Sequence, residues 1–369
     1  MSITGPDFGR VLCTLEHEEP DRVPLAEVVI DYEIMSQFLR RTVTDDDLAS
    51  QVEFWSAAGY DYIPLTVGMM RPGRVTKDSQ ISKTIQDVLL KGAAEEGKDK
   101  DEDGDEDDAW DVWKKPRIHS EADFETFPWE EAARLDFSKF HDVQTHLPQG
   151  MKIIATSGKI FTLTWMLMGF ENFAVNLLRK PRFVARVLQR VARIQLDGLR
   201  EIVSIPNVAA VWAVDDLAFG TGPMISPAAL REHVFPWYEE FAGICHENDR
   251  HLIFHSDGVL WDLMEDLIGL GVDGLHPIDP TCMDIEEVKA KVGDRLTIIG
   301  NISNEILESG TPEEVAELTK RRLKTLAPGG GYCLGSGNSV PYWARIDNYR
   351  AMIETGLKYG RYPISIQEG

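Results

Sequence analysis

Short apolar runs alternate with longer amphipathic stretches along this chain, the order that repeated βα units produce when helices cover a parallel sheet. Eight runs read as buried strands: residues 23–30, 60–67, 152–156, 208–215, 251–255, 272–277, 296–300 and 331–335. Each is apolar or β-branched, and most end on a polar residue or a Gly/Pro cluster. Helices are predicted over 45–58, 170–204, 227–248, 260–270, 285–292 and 312–326. Two carry a hydroxyl N-cap followed by proline: Thr311-Pro312, with Glu313 and Glu314 in the first turn, and Ser226-Pro227. Eight strands with eight crossovers predict a (β/α)8 TIM barrel, although a doubly wound open sheet has a similar period.

Residues 69–149 exceed a single βα unit and hold Trp110, Trp113 and Trp129. They read as an insertion after the second strand, a hairpin with loops over the barrel mouth. At its tip stands a nearly all-charged excursion, residues 95–108. With no fixed-period repeat and no Gly/Ser linker, a single domain over residues 1–369 is expected.

Composition narrows the class. A chain of 369 residues with 43% hydrophobic content can bury a full core. Its net charge of −23, from 61 acidic against 38 basic residues, argues against a nucleic-acid surface. It also disfavours strongly anionic substrates unless a local cation overrides the overall field. Cys13, Cys245, Cys282 and Cys333 stand far apart, without a zinc-finger or disulfide spacing. A reduced, cytoplasmic protein is expected, with no export leader and no run near the roughly 18 apolar residues of a membrane span.

In a barrel, chemistry sits at the C-terminal ends of the strands. The polar residues there are Glu27 and Asp31, Asp215 and Asp216, His255, Ser256 and Asp257, His276 and Asp279, Asn301, and Asn338. In HLIFHSDG, residues 251–258, His255 and Asp257 lie two apart on a strand, so they can face one ligand together. Such a pair binds a metal or forms an oriented base; alternatively Asp257 caps the next helix while His255 packs. Asp215 and Asp216 are costly to bury unless they meet cations or donors, and one of them could instead hold an Arg or a loop amide. Glu27 interrupts an apolar strand, pointing into the mouth or lying at an edge.

Other motifs are weaker. DKDEDG, residues 99–104, fails as a calcium loop because Trp110 stands where the ligating Glu belongs. GGGYCLGSGN, residues 329–338, could cradle phosphate, but glycine there equally serves close backbone approach. Met166, Met168 and Met224 read as core or pocket wall.

Taken in order, several segments resemble the uroporphyrinogen decarboxylase superfamily along nearly the whole chain. They are EPDRVPL (19–25), SGKIFTLTWMLMGFENF (157–173), DDLAFGTGPMISP (215–227), HSDG (255–258), GVDGLHPI (271–278), LTIIGNIS (296–303) and GGGYCLGSGNSVP (329–341). The superfamily fold is the barrel, and its members include methylcobamide:coenzyme M methyltransferases and corrinoid-dependent O-demethylases. Its tetrapyrrole decarboxylases hold substrate acetates with an Arg-rich element after the first strand. Here that place reads VPLAEVVIDYEIM, residues 23–35, without Arg, so the methyltransferase branch is the closer resemblance.

Thiol methyltransferases of the superfamily bind zinc through HxC and a later Cys in a PGCxVP-like element. The matching positions here are His255 with Asp257, and Asn338 within SGNSVP. Oxygen ligands beside one imidazole make a harder site, suited to polarising an ether or carbonyl oxygen. The resemblance therefore implies His255 and Asp257 as metal ligands, with zinc as the candidate ion and Asp216 or Glu27 as a further ligand. Cys333 reads as core.

The reaction so implied moves the methyl group of a small O-methyl substrate, such as an aryl ether, to a corrinoid cofactor on a partner corrinoid protein. His255, Asp216 and Asp257 would be catalytic, while Glu27, Asp215, His276 and Asn338 would bind substrate. Two alternatives stay open: a decarboxylase or other lyase acting on a small acid at the same groups, and a catalytically silent binding barrel. Barrels of this superfamily commonly dimerise, so a homodimer is expected.

Overall fold

A computed structural model describes residues 5–67 and 116–366. Seven parallel strands form the main sheet in the order β1 (Tyr62–Thr66), β2 (Lys152–Ser157), β3 (Val208–Val214), β6 (His251–His255), β7 (Gly274–His276), β8 (Thr297–Ile299) and β9 (Tyr332–Cys333). Between β3 and β6, the short strands β4 (Ala218–Phe219) and β5 (Gly222–Pro223) pair as an antiparallel hairpin. The register sets Val214 beside His255 and His255 beside His276, so three strand ends meet at one level.

The first expected strand is the clearest departure. Residues 22–30 form only isolated parallel bridges, Leu25 to Leu334 and Ile30 to Val340. Pro24 has no N–H to give, and the Glu27 amide donates to the Tyr62 hydroxyl at 2.7 Å rather than to a ladder. The segment still runs beside β9, through Ala26 N to Leu334 O at 2.8 Å and Leu334 N to Pro24 O at 2.9 Å.

The sheet curls around its own apolar face, where Ile154, Trp212, Ile253 and Ile299 pack with Ala26 and Val28. Helix α1 (Gly9–Leu15) closes the N-terminal end of this interior with Val11 and Leu15. Below it, Asp61 is wholly buried and bound by two guanidinium groups, Arg10 Nη1 at 2.7 Å and Arg22 Nη2 at 3.0 Å.

A second, larger core lies between the sheet and the outer helices. The expected helix over 170–204 is two helices, Phe170–Arg179 and Pro181–Ser204, because Pro181 lacks an amide and bars Lys180 from helical angles. The stretch 227–248 likewise divides into Pro227–His233 and Phe235–Glu247, with Pro236 in the first turn of the second. Pro312–Leu326 forms as expected, with a capping box between Thr311 and Glu314. Helix Phe161–Met168 was not anticipated: FTLTWMLM is buried on almost every side and has no polar face to give a helical period.

The charge run 95–108, Trp110 and Trp113 lie outside the described residues. While the rest of the expected hairpin, with its tip, lies outside the described residues, the described part of the insertion, 116–149, contains no strand. It forms short helices, Glu121–Thr126, Trp129–Ala132 and Ser138–Asp142, beside the outer helices. Its backbone joins them where Arg117 N and Ile118 N donate to Leu167 O. Among the described residues, no helix is long and apolar enough to cross a membrane.

Candidate active site

The ends of β3 and β6 bring three side chains together. Asp216 follows β3, His255 ends β6, and Asp257 comes two residues later. One ligand atom from each lies within 4.8 Å of the others. The alternation expected of HSDG holds: Ser256 turns away and accepts from Leu217 N at 2.9 Å, fixing the bend between His255 and Asp257. Gly258 completes the turn at φ +90°, and a Cβ there would stand 2.6 Å from the Phe219 carbonyl oxygen, so this position requires glycine.

Hydrogen bonds lock the acids in place. Asp257 N donates to Asp216 Oδ1 at 3.1 Å, and Asn338 Nδ2 donates to Asp257 Oδ2 at 2.6 Å. His255 Nε2 lies 3.9 Å from Asp216 Oδ1. On the other side of the ring, His255 Nδ1 and His276 Nδ1 are 2.8 Å apart, so one donates and the other accepts. His276 is wholly buried against Trp212, ring centres 4.8 Å apart, and its Nε2 has no partner among the described residues.

Burial pushes His255 down to about 4; the Asp216 carboxylate opposes that shift and Lys159 reinforces it. Burial, with Asp216 and Asp279 adding their repulsion, pushes Asp257 up to about 7, against the pull of Asn338 and Lys159. His276 is held low by its burial and by His255. Near neutral pH the site therefore holds two neutral imidazoles and a carboxyl at the midpoint of its titration. Among the described residues, neither Asp216 nor Asp257 has a Lys or Arg within 4.0 Å.

Other expected site residues lie apart. Asp215, named for substrate contact, is wholly buried and accepts from Phe161 N at 2.6 Å, Thr162 N at 2.7 Å and the Tyr238 hydroxyl. Burial pushes it up to about 6, and its place is at the start of helix Phe161–Met168, facing away from the cluster. Glu27 is also wholly buried, with Ser336 N and Ser336 Oγ each donating to it at 2.6 Å. Its burial pushes it up to about 8, and it ties residues 22–30 to the segment after β9 instead of joining the three-residue group.

Asp31 caps helix Tyr32–Leu39, and Asn301 donates to Ile278 O at 2.8 Å. Cys333 and Met168 are core, as expected. Lys159, after β2, stands outside the expected set of acids, amides and histidines at strand ends, because a single lysine there forms no pattern with its neighbours. Its position directly after an apolar strand was the available signal.

With this geometry in view, the sequence profile described as uroporphyrinogen decarboxylase (URO-D) matches residues 119–359. A uroporphyrinogen decarboxylase of Aromatoleum aromaticum is 25% identical over 228 residues, 60% of this chain and 62% of that protein. The one from Pseudoalteromonas atlantica is 24% identical over 259 residues, 67% of this chain and 70% of its own length. The chain thus spans less than two thirds of the first of these relatives. A methyltransferase from Methanosarcina mazei has a similar fold, with TM-score 0.65 and 13% identity, covering 95% of this chain and 98% of the other.

Proposed function

The chain belongs to the uroporphyrinogen decarboxylase family, and from that premise we propose that it transfers the methyl group of a small O-methyl compound, such as an aryl ether, to a corrinoid carried by a partner protein. The observation that carries this reading is the convergence of Asp216, His255 and Asp257 at the ends of β3 and β6. The methyltransferase among the structural relatives is in keeping with it. Within the same reading the curled sheet is a (β/α)8 barrel of one domain, with residues 22–30 in the place of its first strand beside β9.

The residues fit a divalent cation such as zinc. Ligand atoms at about 2.0–2.2 Å from one ion lie at most about 4.4 Å from each other, close to the spacing of this group. Two carboxylates left without a guanidinium are costly unless a cation joins them. A bound ion would act as a Lewis acid on the ether oxygen, which otherwise leaves poorly. With a cation bound, His255 would donate Nδ1–H across the 2.8 Å contact to His276 and keep its Nε2 lone pair for the ion, on the side where Asp216 lies. Asn338 occupies one oxygen of Asp257 and leaves the other facing the site. Asp216, half-exposed, completes the set and orients the substrate.

Absence of Arg from residues 23–35 speaks against a tetrapyrrole with many carboxylates. A second reading, decarboxylation of a small acid without metal, is favoured by one observation: Asp257, pushed up to about 7, can hold and release a proton near neutrality. The two differ in product. Incubating the protein with zinc, cob(I)alamin and a panel of methoxylated compounds is expected to give methylcobalamin, detected by its absorption spectrum. Carbon dioxide release from carboxylated substrates without methyl transfer would overturn the proposal in favour of the second reading.

A further inference from the structure

Lys159 follows Gly158 in the turn between β2 and helix Phe161–Met168. That turn is fastened to the candidate site, since Asp215 accepts from Phe161 N and Thr162 N, while Asp216 N donates to Thr162 Oγ1 at 3.2 Å. Lys159 therefore stands at the same rim as Asp216, one strand away, and two strands from His255. Its charge bears on His255 and Asp257 alike.

Yet its ammonium is unengaged. Among the described residues, no carboxylate oxygen lies within 4.0 Å of it and no acceptor holds it. Other lysines here are spent differently: Lys139 pairs with Asp45 at 2.7 Å, and Lys289 donates to the carbonyls of Gly330 and Gly331. A lysine serving only to neutralise the acids would close on Asp216, whose side chain is 39% exposed and within reach of the rim. Lys159 stands off instead, half-buried and more than 4.0 Å from either acid. The chain's net charge of −23 repels anions at long range, so an anionic ligand would need such a local cation.

We propose that Lys159 binds a carboxylate on the substrate, while the methoxy end of the same molecule reaches Asp216, His255 and Asp257. This rests on the methyl-transfer reading and names its substrate class: small methoxylated acids. Lys159 sets specificity, and the chemistry at the methyl group belongs to the other three residues.

The test compares 4-methoxybenzoate with its neutral isostere 4-methoxybenzamide, by calorimetric binding to the zinc-loaded protein and by methyl transfer. Wild type is expected to bind the carboxylate at least about tenfold more tightly than the amide. Lys159→Met should remove that preference while shifting amide affinity by less than about twofold, and Lys159→Arg should restore most of it. A carboxylate affinity unchanged in Lys159→Met overturns the proposal, as does a wild type without carboxylate preference, whether it binds both probes or neither. Failure of the wider reading shows separately: carboxylate preference with no methyl transfer from any probe leaves Lys159 as the anion contact and removes the chemistry.

Discussion

Two ends of one sheet bury charge in opposite ways. At the N-terminal end Asp61 is saturated: two guanidinium groups and the Asp7 amide share its oxygens, and α1 seals the surface over it. At the C-terminal end Asp216 and Asp257 stand beside a neutral imidazole and, among the described residues, have no guanidinium within 4.0 Å, while the nearby lysine has no partner there. Similar groups are thus complete in one place and incomplete in the other. A saturated cluster holds the fold together. An unsaturated one keeps free lone pairs and unsettled protons, which is what binding and catalysis require.

Substitutions at the two ends should therefore fail differently. His255→Ala is expected to lower methyl transfer by about a thousandfold, read as initial rate, with little change in melting temperature. A comparable loss of stability would place His255 with the saturated kind. Asp61→Asn should do the reverse. Removing the shared carboxylate strands Arg22 in the interior and is expected to cost about 3 kcal/mol in denaturant unfolding, while the folded fraction keeps its affinity for zinc. Loss of zinc binding at unchanged stability would break the contrast.

Smaller effects sharpen it. A cation must displace the proton that Asp257 holds below about 7, so zinc affinity should rise about tenfold per pH unit as pH climbs toward 7 and then level off. Asp257→Asn should weaken binding and abolish that slope, as titration calorimetry at several pH values would show. Glu27 bears on stability alone and only through its pH dependence. Its folded value, raised to about 8, exceeds the unfolded one, so its proton contributes stability that is present below about 4.5 and lost as pH rises through about 8. Glu27→Gln should accordingly melt closer to wild type at pH 5 and gain on it by pH 8. A constant difference would contradict the assignment.

Much of this was readable beforehand, for physical reasons. The two-residue spacing of His255 and Asp257 on an apolar strand fixes their common direction, and the resemblance placed Asn338 near Asp257, where it lies. The roles of Asp215 and Asp216 were not separable, because adjacent residues at a strand end face opposite ways and nothing local says which faces in. The answer depends on amides of Phe161 and Thr162, more than 50 positions earlier. Pro24 breaks the ladder of the first strand, and Lys159 lies inside the segment 157–173, where neither the pattern nor the resemblance gives it a role. These facts emerge only when the chain is folded.

The central claim is that Asp216, His255 and Asp257 form one cation site at the open end of the sheet. A crystal grown with zinc, with diffraction recorded on both sides of the zinc absorption edge, tests it most directly. The expected result is an anomalous peak bonded to His255 Nε2 and to one oxygen each of Asp216 and Asp257. A peak elsewhere, for example at the exposed pair His246 and Asp273, with none among these three residues, would contradict it.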